Sequence, residues 1–325
     1  MAKLTEANLV TYSPNLKVLD CTLRDGGLVN NFYFTDEFVK DLYNAAIKAG
    51  IDYMEFGYKA STDIFNESDF GKWKFCNDDD IRAIVGENDT KLKLSIMADV
   101  GRCDYKEDIH SRDESPLDMI RVATYINTMP EALSMIEDAY NKGYETTCNI
   151  MAISNAQEAD VKKALEMLGK SPVDAIYIVD SYGSLYPEQI RRISDLYLEE
   201  TEKYGKKIGI HAHNNQQCAF ANTIESLAQG VSFLDATVCG MGRGAGNCAL
   251  EALVGFLKNP EYRLDPILRF MEKYMVETRK KSVWGYDIPY LLTGLTDQHP
   301  RTAIAAVKEG DTKYLDFYNM ILERD

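Results

Sequence analysis

Short apolar runs alternate with longer amphipathic runs along most of the chain, and this constrains the fold more than any other feature. Residues 16–21, 53–58, 92–100, 119–125, 146–153, 175–179, 208–213 and 233–238 read as strands. Between them, residues 35–49, 79–86, 130–142, 156–168, 187–203 and 218–229 read as helices, and 249–257 follows the last strand as another. The first helix shows why. Thr35 is a candidate N-cap, Asp36 and Glu37 complement the helix dipole, and Gly50 supplies the stop. Phe38, Leu42, Ala45 and Ala49 recur at helical spacing. Parallel strands buried on both faces are near-continuous in apolar residues, and 175–179 (Ala-Ile-Tyr-Ile-Val) fits. Eight βα units over about 250 residues are the signature of a (β/α)8 barrel. A doubly wound sheet would use fewer strands. The expected class is therefore α/β, with the barrel over residues 1–262. Residues 263–325 have helical patterns and no barrel strand, which suits a C-terminal extension used as a lid or for homodimerisation.

Charge and cysteine usage narrow the partners. The 325 residues carry 36 Lys plus Arg against 51 Asp plus Glu, a net charge of −15. Such a surface repels phosphate backbones and anionic lipid, so neither nucleic acid nor a membrane surface is expected as partner. No apolar run reaches the roughly 18 residues of a membrane span. The opening Met1-Ala2-Lys3-Leu4-Thr5-Glu6 lacks the apolar core of a signal peptide. The seven cysteines, Cys21, Cys76, Cys103, Cys148, Cys218, Cys239 and Cys248, are odd in number and show no C-x-x-C spacing. That argues against a disulfide framework and a structural zinc site, and for a reducing cytoplasm.

Three strings carry candidate chemistry. Arg24-Asp25-Gly26-Gly27 follows the first strand, where barrel active sites are built. There an Arg holds an oxyanion and an Asp a metal; the alternative is a salt-bridged turn with glycines for positive φ. His211 and His213 lie two apart on a strand and so share a face. The alternative for them is a surface pair near a polar turn. Asp25 with both His gives a mixed oxygen and nitrogen set that suits Mn²⁺, Mg²⁺, Co²⁺ or Fe²⁺, and Zn²⁺ less clearly. The run from Gly240 to Asn247 follows the last strand. It can wrap an anion, with Asn247 as a further oxygen ligand and Gly244 near substrate, or it is simply a tight loop. Asp180 and Ser181 end the sixth strand as candidate substrate-binding residues, and Glu55 lies in the second. Asp180 and Glu55 are expected at the mouth, with a buried ion pair as the alternative for Glu55.

The strings Leu19-Asp20-Cys21-Thr22-Leu23-Arg24-Asp25-Gly26, His211-Ala212-His213-Asn214 and Gly244-Ala245-Gly246-Asn247 together resemble the metal-dependent lyase and aldolase superfamily that joins a TIM barrel to an Asp-Arg-Glu signature. Its members include hydroxymethylglutaryl-CoA lyase and the isopropylmalate and homocitrate synthases. The length and Thr293-Gly294…His299-Pro300 resemble the 4-hydroxy-2-oxovalerate aldolase branch. The resemblance implies a divalent metal, Mn²⁺ first and Mg²⁺ or Co²⁺ next, on Asp25, His211 and His213, with Asn247 as a possible addition and Arg24 stabilising an enolate. It implies a lyase acting on a 4-hydroxy-2-oxo acid to give a 2-oxo acid and an aldehyde, and it leaves an aldehyde dehydrogenase partner open. The Gly-Gly-Cys-Pro pattern of hydroxymethylglutaryl-CoA lyase is missing, so no catalytic Cys is carried over. Aldolases of this branch have a His base three positions after the signature Asp, and this chain has Leu28. The replacement candidates are His299, Tyr58 and Glu55, His299 first because an ordinary imidazole titrates near neutrality. Two other readings remain at this stage: a condensing synthase joining an acyl-CoA to a 2-oxo acid, and a degenerate barrel without catalysis.

Overall fold

A strand covered on both faces must be apolar at successive positions, and the strands here are. The computed structural model describes residues 12–323; the N-terminal hexapeptide considered above lies outside them. Among the described residues, eight strands run parallel in chain order: β1 Lys17–Asp20, β2 Tyr53–Tyr58, β3 Lys93–Asp99, β4 Met119–Thr124, β5 Glu145–Ile150, β6 Ala175–Asp180, β7 Lys207–Ala212 and β8 Phe233–Ala236. The sheet closes where β8 pairs with β1, Leu19 standing beside Asp235. This is the expected (β/α)8 barrel.

Side chains alternate along each strand with period two. On β4, Ile120 and Val122 join the large core between strands and helices, whereas Met119 and Arg121 face the axis. At the N-terminal end of the barrel an apolar plug fills the axis. Tyr53 and Tyr177 both pack on Phe233, at ring separations of 5.8 and 6.3 Å. Above the plug the axis turns polar.

Local signals act as expected at the helix Asp36–Ala49. The Phe38 amide donates to Thr35 Oγ1 at 3.2 Å, and Gly50 closes the helix in the left-handed region at φ 73°. The segment after β1 differs from expectation. It is a helix, α1 Thr22–Asn30, not a loop, and it carries Arg24 and Asp25 in its first turn. Two glycines and a weak apolar stripe hide it from propensity reasoning. Neither Gly26 nor Gly27 has positive φ. They are small because neighbours press close: a Cβ on Gly26 would sit 3.0 Å from the Met241 side chain, and one on Gly27 would enter the Phe32 ring. Phe32 itself is fully buried.

Helices follow the barrel. The stretch from Asp265 to Lys281, with a π-turn at Met271–Met275, packs on the helix Asp36–Ala49 through Phe38 against Phe270 and Tyr274. Ile288–Leu295, Arg301–Glu309 and Tyr314–Leu322 form a small separate core around Tyr290, Ala303, Phe317 and Ile321. Among the described residues no helix is long and apolar enough to cross a membrane.

Gly27→Ala is expected to cost about 1–3 kcal/mol, because Phe32 has no free space to retreat into. Urea denaturation checks this; an unchanged midpoint would show that α1 shifts freely.

Candidate metal and anion site

The C-terminal ends of the strands collect the candidate residues. Arg24 and Asp25 come from α1, His211 from β7, and His213 from just beyond it. His213 pairs in isolated antiparallel fashion with Asn247, which brings the glycine run back over the barrel mouth. Glycine is required at 242, where a Cβ would lie 3.3 Å from Asp25 Oδ2 and against the Asn247 amide. Gly240, Gly244 and Gly246 hold positive φ of 59°, 63° and 80°.

The resulting group is close-set. Asp25 Oδ2 lies 3.3 Å from His211 Nε2 and 3.7 Å from His213 Nε2, and accepts from Asn247 Nδ2 at 2.6 Å. One donor atom from each of Asp25, His211 and His213 lies within 4.8 Å of the others, all buried. Asp25 Oδ1 and Asn247 Oδ1 are buried without a hydrogen-bond partner. Buried oxygens left over beside two imidazoles fit a divalent cation, which would take lone pairs that no protein donor uses. Burial opposes the charge on Asp25, yet His213, Arg24 and His211 hold its carboxyl well below the usual range. Burial drives His213 well below an ordinary imidazole, leaving the neutral form a metal needs. His211 Nδ1 bonds Asp235 Oδ2 at 2.9 Å, which turns Nε2 toward Asp25. Cys21, His211 and Asp235 also lie within 4.8 Å of one another. Burial pushes the Cys21 thiol up, however, and Asp235 is committed to Arg121, so this second trio lacks a free anionic ligand.

A buried ionic chain supports the group. Glu55 Oε2 accepts from Arg24 Nε and from Arg121 Nη1, each at 2.9 Å. Arg121 Nη2 donates to Asp235 Oδ2 at 2.6 Å, and its guanidinium lies 4.5 Å from the centre of the Tyr177 ring. Glu55 is thus the buried ion-pair partner and not a free base at the mouth. Arg121 and Asp235 were not singled out from sequence, although each is a solitary charge inside an apolar strand, a pattern that calls for a buried partner.

A pocket opens above, lined by Arg24, Asp25, both site histidines, Leu28, Tyr58, Ser181, Tyr182, Arg243 and His299 among others. Tyr58 and Ser181 both line this pocket. Burial raises the Tyr58 phenol, with Arg24 opposing. The Lys74 ammonium sits 4.6 Å over the Tyr58 ring and within 4.2–5.6 Å of Phe65, Phe32 and Phe70. Two expected substrate residues stand elsewhere. Asp180 is fully buried and turned into its own loop, where it accepts from the Ser184 amide at 3.0 Å and the Leu185 amide at 3.3 Å; burial lifts its carboxyl to about 7. The Cα of Gly244 faces Tyr290 and Pro300 of the C-terminal helices. His299 reaches the pocket but does not titrate near neutrality: burial, with Arg243 and Arg301 adding repulsion, pushes it down to about 4. Arg243, hidden within the glycine run, was not assigned a role from sequence.

Two outcomes are expected. After loading with Mn²⁺ and desalting, the unaltered protein is expected to retain the ion and His213→Ala to lose it, read by elemental analysis; equal metal in both rejects this donor set. Arg121→Met leaves Glu55 and Asp235 buried without their shared cation, and should cost about 3–5 kcal/mol in chemical denaturation.

Comparison with known proteins agrees with this architecture. The HMGL-like family profile matches residues 15–272. The oxaloacetate decarboxylase of Mycobacterium tuberculosis is 31 % identical over 246 residues, covering 74 % of this chain and 69 % of that protein. A 4-hydroxy-2-oxovalerate aldolase of Bacillus cereus is 28 % identical over 259 residues, covering 77 % and 72 %. Among solved structures, the N-terminal domain of a Bacteroides vulgatus protein designated an aldolase superimposes with a TM-score of 0.74 at 26 % identity, over 90 % of this chain and 96 % of that one. With the family profile matched over most of its length, this chain belongs to the HMGL-like family.

Proposed function

We propose that the chain is a divalent-metal-dependent carbon–carbon lyase, an aldolase that cleaves or forms a 4-hydroxy-2-oxo acid through a pyruvate-type enolate. The observation that carries this reading is Arg24. Its Nε is locked on Glu55 while Nη1 lies 3.6 Å from Asp25, so a guanidinium is held at the pocket floor beside the metal-ligand candidates. Asp25, His211 and His213, with Asn247, would hold the cation, Mn²⁺ being the first choice. When bound, such a cation supplies a Lewis acid for the 2-oxo group. Arg24 binds the oxygen that becomes negative as the bond between carbons 3 and 4 breaks. Because Glu55 fixes it beforehand, little reorganisation is needed at that moment. Tyr58 holds its proton on Oη at neutral pH, as its raised phenol requires. In the condensation direction that proton passes to the aldehyde oxygen; cleavage is the reverse step and starts from the Tyr58 phenolate, which takes the 4-hydroxyl proton. Arg24, which opposes the upward push of burial on the phenol, favours that phenolate.

A second reading is favoured by Leu28. Loss of carbon dioxide from a 3-carboxy-2-oxo acid reaches the same enolate without removing a hydroxyl proton, so it needs no base at that position. The relative named oxaloacetate decarboxylase supports it.

Exchange of pyruvate methyl protons in D₂O, followed by mass spectrometry, tests the shared enolate. Deuteration should require the metal and be lost in Asp25→Ala. Arg24→Ala should slow it by about 10²–10³ while bound metal stays the same. Absence of exchange with metal bound rejects the pyruvate lyase.

A further inference from the structure

The pocket is lined by a guanidinium, Arg243, to which the proposed chemistry gives no part. Among the described residues no carboxylate lies within ion-pair distance of it, and its Nε is buried without a partner. Its Nη2 donates to the Ser181 carbonyl at 2.9 Å, which fixes the guanidinium at the pocket wall.

His299 faces the same place. Its Nδ1 lies 3.1 Å from the Arg301 amide, and its ring meets Tyr182 edge-on at 5.7 Å. His299 Nε2 lies 3.2 Å from Arg243 Nη1, and a neutral imidazole has one lone-pair nitrogen, so it accepts from the Arg301 amide or from Arg243 but not from both. Either tautomer leaves this cluster with more donors than acceptors. Both side chains line the pocket. Adjacent donors of this kind are satisfied by an acceptor that spans them, and a carboxylate does so with charge-assisted bonds.

We propose that Arg243 and His299 form a subsite for a second carboxylate, so that the substrate is a 4-hydroxy-2-oxo acid whose aldehyde half is itself an acid. This rests on the lyase reading above. The carboxylate held there is one that the product keeps. A group about to leave as carbon dioxide loses its charge, and gripping it would stabilise the ground state over the transition state. On cleavage, the 4-hydroxyl proton passes to the Tyr58 phenolate, the hydroxyl oxygen becomes the aldehyde carbonyl, the bond between carbons 3 and 4 breaks, and its electron pair passes to the enolate of pyruvate.

Two acids of equal length separate the cases: 2-oxoglutarate, and 2-oxopentanoate, which has a methyl in place of the distal carboxylate. Calorimetry on the Mn²⁺-loaded protein should show the diacid binding about tenfold tighter or more. That ratio should fall toward one in Arg243→Gln and recover in part in Arg243→Lys, which restores the charge. The kcat/KM ratio of 4-hydroxy-2-oxoglutarate to 4-hydroxy-2-oxopentanoate should move the same way. A binding ratio near one in the unaltered protein overturns the subsite, as does a ratio untouched by Arg243→Gln. Equal weakening of both acids overturns it too, by assigning Arg243 to the shared 2-oxo acid end. The binding ratio does not depend on turnover. Diacid selectivity without pyruvate deuteration therefore upholds the subsite and rejects the lyase, and deuteration without selectivity does the reverse.

Discussion

Six buried residues are joined in a closed ring of charge: Arg24 to Glu55, Glu55 to Arg121, Arg121 to Asp235, Asp235 to His211, His211 to Asp25, and Asp25 back to Arg24. They come from α1, β2, β4, β8 and β7, so the ring exists only when the barrel is closed. Burying ions costs several kcal/mol each unless geometry and hydrogen bonds offset it. Nothing about stability asks for such a ring where an apolar layer would serve. What it achieves is position. One guanidinium, Arg121, simultaneously sets the partner that aims Arg24 and the partner that orients His211. Arg24 and His211, which line the pocket, are thereby each fixed by a carboxylate that does not.

How much of this was legible depends on the physical range of each signal. The barrel was, because eight apolar runs separated by amphipathic ones leave few alternatives. Thr35 and Gly50 act over one helical turn, and both behave as read. The pairing of Asp25 with His211 and His213 follows once barrel closure places β1 beside β8, one strand from β7, at one mouth. Helix α1 was not legible, since its formation depends on Gly26 and Gly27 letting Met241 and Phe32 approach, a tertiary fact. Asp180 was misjudged for a similar reason. Strand alternation tells which way a side chain starts, but two free amides of its own loop, at Ser184 and Leu185, capture the carboxylate.

His299 shows how environment overrides residue type. An isolated imidazole near neutral pH is the obvious replacement for a base lost at position 28. Here it is wedged between a backbone amide and a guanidinium, both donors, and gaining a proton would set like charge against like. The same arrangement that removes it as a base places it beside Arg243 in the proposed carboxylate subsite. Leu28 then reads less as a missing part than as a sign that proton transfer is arranged differently in this pocket.

The two walls of the pocket differ in stiffness. On one side, Phe32 packs edge-on to Tyr58 at 5.7 Å, fills the space that Gly27 leaves, and shares the Lys74 ammonium with Tyr58, Phe65 and Phe70. The helix bearing Arg24 and the wall bearing Tyr58 therefore move as one body with the main core. On the other side, His299 belongs to a segment whose apolar cluster around Tyr290, Ala303, Phe317 and Ile321 is small and separate from that core. Local opening costs least where few buried contacts must be broken. The pocket wall that bears His299 is therefore the one held in place by fewer buried apolar contacts.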